Sequence, residues 1–219
     1  MTSQKTKILI IEDHDIFRMG LCELINNEED LIVCGEAAEV DEAWEKVRDL
    51  KPDMAIIDIS LKNGNGIDLI ERIKNYDKTI LVLVLSMHDE SLYAERSLLA
   101  GAKGYIMKQE TSDSVILAVR QVLDGKIYVS EKYKETILDT FASRSSGVNR
   151  FPLERLTNRE LEVFNFIGQG LTTKDIAQKL NLGAKTIGTY RERIKDKLNI
   201  KNANELIKQA VYWVSNQKV

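Results

Sequence analysis

Three carboxylates near the start of the chain stand where apolar runs of the sequence end. Glu12 and Asp13 follow the run Lys7–Ile11, and Asp58 follows Met54–Ile57. If these runs are neighbouring parallel strands, their carboxyl ends lie at one edge of a sheet, where α/β proteins carry their sites. Any one of these carboxylates alone could simply cap the next helix, but three together repel one another unless a cation offsets their charge. Oxygen ligands suit Mg²⁺, so we predict that Glu12, Asp13 and Asp58 bind Mg²⁺.

Two further polar residues occupy the same kind of position. Ser86 follows the apolar run Ile80–Leu85, and Lys108 follows Gly104–Met107. A hydroxyl donor and an ammonium group next to a bound cation would surround an anion built on Asp58. Such groups neutralise charge during phosphoryl transfer. The sequence therefore predicts a site at this edge of the sheet in which the cation, Lys108 and Ser86 surround an anion built on Asp58.

The elements that would position these residues alternate between strands and helices. Continuous apolar runs separated by helical segments are typical of a parallel sheet covered on both faces. We therefore predict an α/β doubly wound domain with a five-stranded parallel sheet. The predicted strands are Lys7–Ile11, Leu31–Cys34, Met54–Ile57, Ile80–Leu85 and Gly104–Met107, and the predicted helices lie at 16–25, 40–50, 67–73 and 115–123.

The pattern changes near residue 125. Residues 126–152 have the composition of a linker, with one helix predicted over Glu131–Phe141. Beyond Leu153 only helical segments occur, which predicts an all-α domain of four helices. We thus predict three regions, 5–125, 126–152 and 153–217. The helices predicted in the last region are Asn158–Gln169, Thr173–Leu180, Ala184–Leu198 and Asn202–Val214.

Composition and charge restrict the classes of protein. Hydrophobic residues make up 43% and charged residues 30% of the chain, as in ordinary globular proteins. No apolar run approaches the roughly 20 residues that cross a bilayer, and the polar start favours a cytoplasmic protein without membrane contact. From Arg150 onward 13 basic residues face 7 acidic ones, whereas the preceding part has 18 basic and 27 acidic residues. This asymmetry predicts different partners for the two parts.

The strand-end residues resemble a known family. The segments Ile10–His14, Ile56–Leu61 and Gly104–Lys108, with Ser86 between them, are similar to the motif blocks of the response-regulator receiver domain. The resemblance covers roughly residues 5–125. It implies a flavodoxin-like receiver fold, and it implies that Asp58 accepts a phosphoryl group from a cognate histidine kinase.

The same resemblance implies a role for each charged residue of the site. Asp13 and Asp58 would hold Mg²⁺, and Glu12 would assist them. Lys108 would pair with the phosphoryl oxygens. A phosphoryl group adds about one to two negative charges and strong acceptor oxygens, so a neighbouring ammonium group is what its charge requires.

Ser86 and Tyr105 would form a conformational relay, again by resemblance. Ser86 would move toward the phosphoryl oxygens, and Tyr105 would fill the vacated space from outside. Tyr105 as ordinary strand core is the alternative. His88 either modulates hydrolysis of the phosphoryl group or is a solvated side chain.

The last region resembles the LuxR-type helix-turn-helix domain. The segments Leu156–Phe164, Gly168–Leu180 and Lys185–Arg191 carry the similarity, with the helix-turn-helix itself over about Thr172–Arg191. A receiver followed by this domain is the NarL/FixJ type of response regulator. The resemblance implies a transcription regulator, not an enzyme, that binds double-stranded DNA as a homodimer.

Helical periodicity indicates which residues would face DNA. Ile187, Ile194 and Leu198 form the inner face of the second helix of the motif. The outward stripe then consists of Lys185, Gly188, Thr189 and Glu192. A helix in the major groove reads bases from such a stripe, and Lys185 and Thr189 are the expected base readers. Glu192 either joins them or pairs with Lys195. The expected phosphate contacts are Thr172, Lys174, Thr186, Tyr190, Arg193 and Lys195.

The last helix carries an apolar stripe that serves two purposes in this family. Part of the stripe must pack the domain, and part is expected to join two subunits. The stripe consists of Leu206, Ile207, Ala210, Val211 and Val214, of which Leu206, Ala210 and Val214 are the predicted dimerisation residues.

Two other functions compete with this prediction. An aspartate nucleophile at a strand end with Mg²⁺ also describes haloacid-dehalogenase-type phosphatases. Those enzymes need a second aspartate two residues after the nucleophile, whereas this chain has Ser60. The third reading is a DNA-binding regulator that does not depend on phosphorylation.

Overall fold

Two compact units form the chain in the computed structural model, Met1–Ser146 and Gly147–Val219. The structure describes residues 5–61, 63–135 and 153–215. Of the helix predicted over Glu131–Phe141, residues 131–135 are helical and the rest lies outside the described residues. The division into 5–125, 126–152 and 153–217 stays a prediction.

The first unit contains a central sheet of five parallel strands. The five strands are Thr6–Ile11 (β1), Leu31–Ala37 (β2), Met54–Ile57 (β3), Leu81–Ser86 (β6) and Gly104–Met107 (β7), and a small antiparallel hairpin of Ser60–Leu61 (β4) and Gly64–Asn65 (β5) follows β3. The order across the sheet is β2-β1-β3-β6-β7, so the carboxyl ends of β1, β3 and β6 are side by side. This confirms the predicted parallel sheet.

Five helices of this unit have defined bounds. They are Asp15–Asn26 (α1), Val40–Leu50 (α2), Gly66–Tyr76 (α3), Glu90–Leu99 (α4) and Ser112–Leu123 (α5). Helix α4 has a weak apolar pattern, because it buries Glu90 and Ser97 while Leu99 is 81% exposed. For this reason periodicity alone does not predict it.

Burial explains why the strands are so apolar. All four residues of β3 are buried, since it lies in the middle of the sheet with helices on both faces. The edge strand β2 pairs only with β1, and it exposes Ile32 and Glu36. Its predicted end at Cys34 is therefore too early, because polar Glu36 still belongs to the strand.

The second unit is all-helical. A short 3₁₀ turn at Leu153–Arg155 precedes four helices, as predicted. The four helices are Asn158–Gly168 (α6), Thr173–Lys179 (α7), Ala184–Leu198 (α8) and Ala203–Ser215 (α9). The side chains of Thr157 and Thr172 cap α6 and α7 in complete capping boxes with Glu160 and Asp175. Within the ranges that the structure describes, every helix is too short or too polar to cross a membrane.

Candidate functional site

The predicted acidic residues converge at the carboxyl edge of the sheet. Glu12, Asp13, His14 and Asp58 each place one ligand atom within 4.8 Å of the others. Glu12 and Asp58 are only 2% and 4% exposed. His14 was not among the predicted site residues, although it is adjacent to Asp13. Its imidazole Nδ1 lies 3.0 Å from an Asp13 carboxylate oxygen, and its side chain is 71% exposed.

Lys108 neutralises part of this acidic cluster. Its Nζ lies 2.6 Å from Glu12 Oε2 and 2.7 Å from Asp58 Oδ2, and its side chain is 3% exposed. Burial alone would lower the pKa of Lys108, but Asp58 and Glu12 outweigh burial and raise that pKa above its usual value. The ammonium group is therefore firmly protonated. The Lys108 Nζ also lies 4.8 Å from the ring centre of Phe17.

The same surroundings favour the charged form of Lys108 but the neutral form of Glu12. Burial and the neighbouring charge of Asp58 raise the pKa of Glu12, and Lys108 only partly opposes this rise. A raised carboxyl pKa means that the surroundings disfavour the charged form, and here burial contributes most. Among the described residues, the three carboxylates of the site carry more negative charge when ionised than the Lys108 ammonium group balances.

One carboxylate oxygen has no partner among the described residues. Asp58 Oδ2 accepts a hydrogen bond from Lys108, whereas Oδ1 is buried and makes no hydrogen bond there. A buried carboxylate oxygen normally requires a donor or a cation. The donor set at this edge of the sheet consists of carboxylate oxygens, which are the ligands that Mg²⁺ prefers, so these residues fit a divalent ion.

The backbone of Asp58 is held on both sides. Its amide donates to Ile11 O at 2.9 Å, and the amide of Gly66 donates to Ile59 O at 2.8 Å. A Cβ atom on Gly66 would lie 2.0 Å from the carbonyl oxygen of Asp58. Only glycine permits this approach, so Gly66 fixes the position of the strand end that carries Asp58.

Ser86 and Tyr105 are both fully buried, and both contact the backbone of His88. The amide of His88 donates to Ser86 Oγ at 3.3 Å, and the Tyr105 hydroxyl donates to His88 O at 2.8 Å. Burial and the nearby Tyr93 raise the pKa of Tyr105 well above its usual value. The Tyr105 ring is thus already inside this unit, and not outside as the relay prediction requires.

His88 is buried, so its interpretation as a solvated side chain is wrong. It is 9% exposed, and its ring lies 4.6 Å from the ring of Tyr93. Its Nε2 lies 2.7 Å from the hydroxyl of Ser60, which stands two residues after Asp58. No sequence signal predicted this contact, because Ser60 in β4 and His88 in the loop after β6 are 28 residues apart in the chain.

In the second unit the helix-turn-helix has the predicted inner and outer faces. Ile176, Ala177 and Leu180 of α7 and its cap are buried, as are Ile187, Ile194 and Leu198 of α8. On the outer face of α8, Lys185, Thr189 and Glu192 are exposed. A Cβ atom on Gly188 would meet nothing within 4 Å, so this glycine leaves open space in the middle of the stripe.

Several of the predicted DNA-contacting side chains are already engaged. Glu192 pairs with Lys195 at 2.8 Å, and the Lys195 side chain is only 18% exposed. The Thr172 hydroxyl donates to Asp175 at 2.6 Å as part of the helix cap. Lys174, Thr186 and Arg193 are exposed, and Tyr190 is half-buried.

A hydrogen bond and an ion pair hold the first helix of this unit against the helix-turn-helix. Arg159, which pairs with the fully buried Glu162 of its own helix at 2.7 Å, donates to Leu180 O, where α7 ends, at 3.2 Å. Lys197 of α8 lies 2.6 Å from Glu160 of α6. Burial alone would raise the pKa of Glu160, but Lys197 and the Thr157 amide and hydroxyl lower it. The orientation of α8 is therefore fixed by charged contacts as well as by its apolar face.

Both units match known protein families. Residues 8–120 match the response regulator receiver domain, and residues 154–210 match the bacterial regulatory proteins of the luxR family. The chain belongs to the response regulators. It combines a receiver with a LuxR-type DNA-binding domain, which is the domain pair of a two-component transcription regulator.

Relatives resemble the regulator over most of its length. The oxygen regulatory protein NreC of Staphylococcus epidermidis is 35% identical over 210 residues, which cover 94% of the regulator and 96% of NreC. The structure of a LuxR-family two-component response regulator from Aurantimonas sp. SI85-9A1 has 28% identity and a TM-score of 0.60, over 64% of the regulator and 99% of that chain. RcsB of Salmonella enterica serovar Typhimurium, bound to promoter rprA with phosphomimetic BeF3-, shares the fold at 24% identity and a TM-score of 0.61, over 94% of the regulator and 98% of RcsB.

Two of the three predicted dimerisation residues of the regulator do not lie on its surface. Leu206 and Ala210 are 0% exposed, and the backbone of Ala210 lies close to Gly168 of α6. These two residues pack α9 onto its own domain, so their assignment to a dimer surface is wrong, whereas Val214 is half-buried. The apolar residues that α9 exposes are Ile207, Val211 and Tyr212, at 41%, 41% and 61%.

Proposed function

We propose that a histidine kinase phosphorylates Asp58 and that this phosphorylation controls DNA binding by the helix-turn-helix domain. The observation that carries the proposal is the buried Asp58 Oδ1 without a hydrogen-bond partner, in an acidic cluster that Lys108 only partly neutralises. In the reaction an Asp58 carboxylate oxygen forms a bond to phosphorus while the bond from phosphorus to the kinase's histidine nitrogen breaks.

Mg²⁺ is the proposed cofactor, with Asp13 and Asp58 as its ligands and Glu12 in support. The ion, when bound, supplies positive charge that the phosphoryl oxygens need during transfer. Lys108 contributes the second positive charge, and its raised pKa keeps it protonated. After transfer its ammonium group can leave the carboxylate and pair with the phosphoryl oxygens.

The relay acts through the backbone between Ser86 and α4. The Ser86 hydroxyl can rotate toward new acceptor oxygens on Asp58, which would break its contact with the His88 amide. Tyr105 is already buried with its hydroxyl on His88 O. In this version of the relay, Tyr105 transmits a shift of the 87–89 loop and does not enter from outside.

The kinase is proposed to dock beside the acidic cluster. An apolar groove of about 600 Å³ lies there, lined among others by Ile16, Phe17, Leu24, Met87 and Lys108. Ile16 is 88% and Met87 is 58% exposed, which is unusual for large apolar residues unless a partner covers them. A partner seated in this groove would bring its histidine close to the acidic cluster that contains Asp58.

The exposed face of α8 is the proposed reading surface. Lys185 and Thr189 are the proposed contacts to base edges in the major groove, because both are exposed on the outer face of α8. The phosphate contacts are proposed for Lys174, Thr186 and Arg193, because these side chains are exposed. Thr172, Glu192 and Lys195 remain candidates whose present contacts must change if they are to reach DNA, and Tyr190 is a half-buried candidate.

A second copy of this chain is the proposed partner on DNA. Ile207 and Val211, two exposed apolar residues of α9, lie on one face of that helix because they are four positions apart, and the exposed Tyr212 is next to Val211 in the chain. One of the solved structures that share the fold of this chain contains two RcsB dimers bound to two parallel DNAs. We propose that this face, in place of Leu206, Ala210 and Val214, joins two subunits.

A phosphatase activity is the weaker alternative. The residue two positions after the aspartate would have to act as acid and base, and here Ser60 contacts His88 instead. Incubation with acetyl phosphate and Mg²⁺, followed by intact-mass measurement, tests the main proposal. Wild type should gain one phosphoryl group, and Asp58→Asn should gain none. An adduct that persists in Asp58→Asn, or no adduct on wild type, would refute it.

A further inference from the structure

A buried carboxylate at the start of α4 holds the chain that leads out of the receiver. Glu90 is 7% exposed. Its Oε1 accepts a hydrogen bond from the Ser130 amide at 2.8 Å, and its Oε2 accepts one from the Ser130 hydroxyl. Both carboxylate oxygens are thus used by one residue 40 positions later in the chain. We call this pair the Glu90–Ser130 contact.

Ser130 is where the chain turns into the helical residues 131–135. The amide of Tyr133 donates to Ser130 Oγ at 3.1 Å, and the amide of Lys134 donates to Ser130 O at 3.0 Å. A carboxylate next to the first turn of a helix stabilises it through the helix dipole. Glu90 therefore supports the start of these helical residues from another part of the receiver.

Glu90 is not required to cap its own helix. Asp89 already does this, since its Oδ1 accepts a hydrogen bond from the Ser91 amide at 2.9 Å. A glutamate placed one residue later and turned into the interior costs desolvation. Its two hydrogen bonds to Ser130 offset that cost, so the segment around Ser130 is what explains the buried charge.

The other end of the contact is the proposed switch. Only residues 87–89 separate Glu90 from Ser86, and His88 in this loop contacts both Ser60 and the Tyr105 hydroxyl. The backbone of Tyr105 also reaches the outgoing segment, because its amide donates to Tyr128 O at 2.8 Å. A shift of this loop must therefore move Glu90 relative to residues 128–130.

We propose that the Glu90–Ser130 contact transmits the state of Asp58 to the segment that leads toward the DNA-binding domain. The inference rests on the proposed phosphorylation of Asp58. When Ser86 turns toward a phosphoryl group, the 87–89 loop shifts, Glu90 separates from Ser130, and residues 128–135 loosen. Without phosphorylation, the contact keeps this segment attached to the receiver.

Hydrogen–deuterium exchange on the full chain tests the contact itself. We compare wild type with Glu90→Gln and Ser130→Ala, and use Glu131→Gln as the matched control, because that carboxylate is 86% exposed and pairs with nearby Lys134. Peptides covering 128–135 should exchange about tenfold faster in both test variants, which corresponds to the loss of roughly one hydrogen bond to a charged group. Exchange as slow as in Glu131→Gln would overturn the inference.

Acetyl phosphate and Mg²⁺ then test the link to Asp58. In phosphorylated wild type the same peptides should exchange faster than before, while in Glu90→Gln phosphorylation should add little further change. Intact-mass measurement on each sample shows whether Asp58 carries the phosphoryl group. A fully phosphorylated wild type with unchanged exchange at 128–135 overturns this inference alone. Absence of phosphorylation overturns the proposed function, and the comparison of unphosphorylated variants still decides whether the contact holds the segment.

Discussion

Replacing Lys108 by methionine removes the one ammonium group that contacts both buried carboxylates. The Nζ atom lies 2.6 Å from Glu12 Oε2 and 2.7 Å from Asp58 Oδ2, and all three side chains are at most 4% exposed. Methionine keeps an unbranched stem of similar length, so packing beside Phe17 changes little. The loss is therefore mainly one of charge.

The size of the effect follows from these distances. At an effective dielectric constant of about 20, each contact contributes roughly 6 kcal/mol of attraction, most of which offsets the cost of burying the charges. Removal of one partner from a buried ion pair costs about 3–5 kcal/mol. We expect Lys108→Met to lower the free energy of unfolding of the receiver by about this amount at pH 8 without Mg²⁺.

The effect should depend on pH in a defined direction. The pKa of Glu12 is raised above 4.5 by burial and by Asp58, and Lys108 opposes this rise. Without Lys108 that pKa rises further. A carboxyl group whose folded pKa exceeds its unfolded value destabilises the protein increasingly as pH rises through that interval. The penalty of Lys108→Met should thus be smaller at pH 5 than at pH 8.

Urea unfolding followed by Trp44 fluorescence measures this effect. The chain has two tryptophans, so a Trp213→Phe background makes Trp44 in the receiver the only reporter. Mg²⁺ should restore part of the stability, since a bound cation replaces the missing charge. Lys126→Met is the control, because its side chain is 67% exposed and surface pairs contribute little. Equal stability of wild type and Lys108→Met at pH 8, or an equal loss at pH 5, would refute this reasoning.

Further predictions concern the helix-turn-helix domain. Lys185→Ala should weaken binding to a site selected from random-sequence DNA by about 1–3 kcal/mol in fluorescence anisotropy; an equal loss on random DNA would identify a phosphate contact instead. Gly188→Ala should raise the free energy of unfolding by about 0.5–1 kcal/mol, because nothing lies within 4 Å of a Cβ atom there; unchanged or lower stability in Trp213-monitored urea unfolding would contradict this. Thr157→Ala should lower stability by about 1 kcal/mol in the same assay, since it removes the capping box of α6, and a wild-type midpoint would show that the cap contributes nothing.

The sheet and most helices could be predicted because burial leaves a direct mark on sequence. A central strand such as β3 is apolar throughout, since both of its faces are covered. Helix α4 left no such mark, because its buried face includes Glu90, whose partner Ser130 lies 40 residues away. Local periodicity contains no information about partners at that distance.

The same distinction applies to the sites. Asp58 and Lys108 could be located because each directly follows a predicted strand, and parallel strands end at one edge. The contact of Ser60 with His88 joins the small hairpin after β3 to the loop after β6, and the approach of these two segments is not evident from residue type. Leu206 and Ala210 were wrongly assigned, because an apolar stripe does not reveal whether it packs its own domain or a second subunit.

The close approach of Gly66 to Asp58 has a consequence for how information would leave the proposed phosphorylation site. With the Asp58 carbonyl oxygen 2.0 Å from where a Cβ of Gly66 would be, and its amide bound to Ile11 O, the backbone at this point has little room to move. Charge added to the Asp58 side chain would therefore displace neighbouring side chains more readily than the Asp58 backbone. We expect the mechanical output to pass through the ends of the neighbouring strands β1 and β6, Ser86 among them, so that a residue without a side chain restricts the direction of signalling.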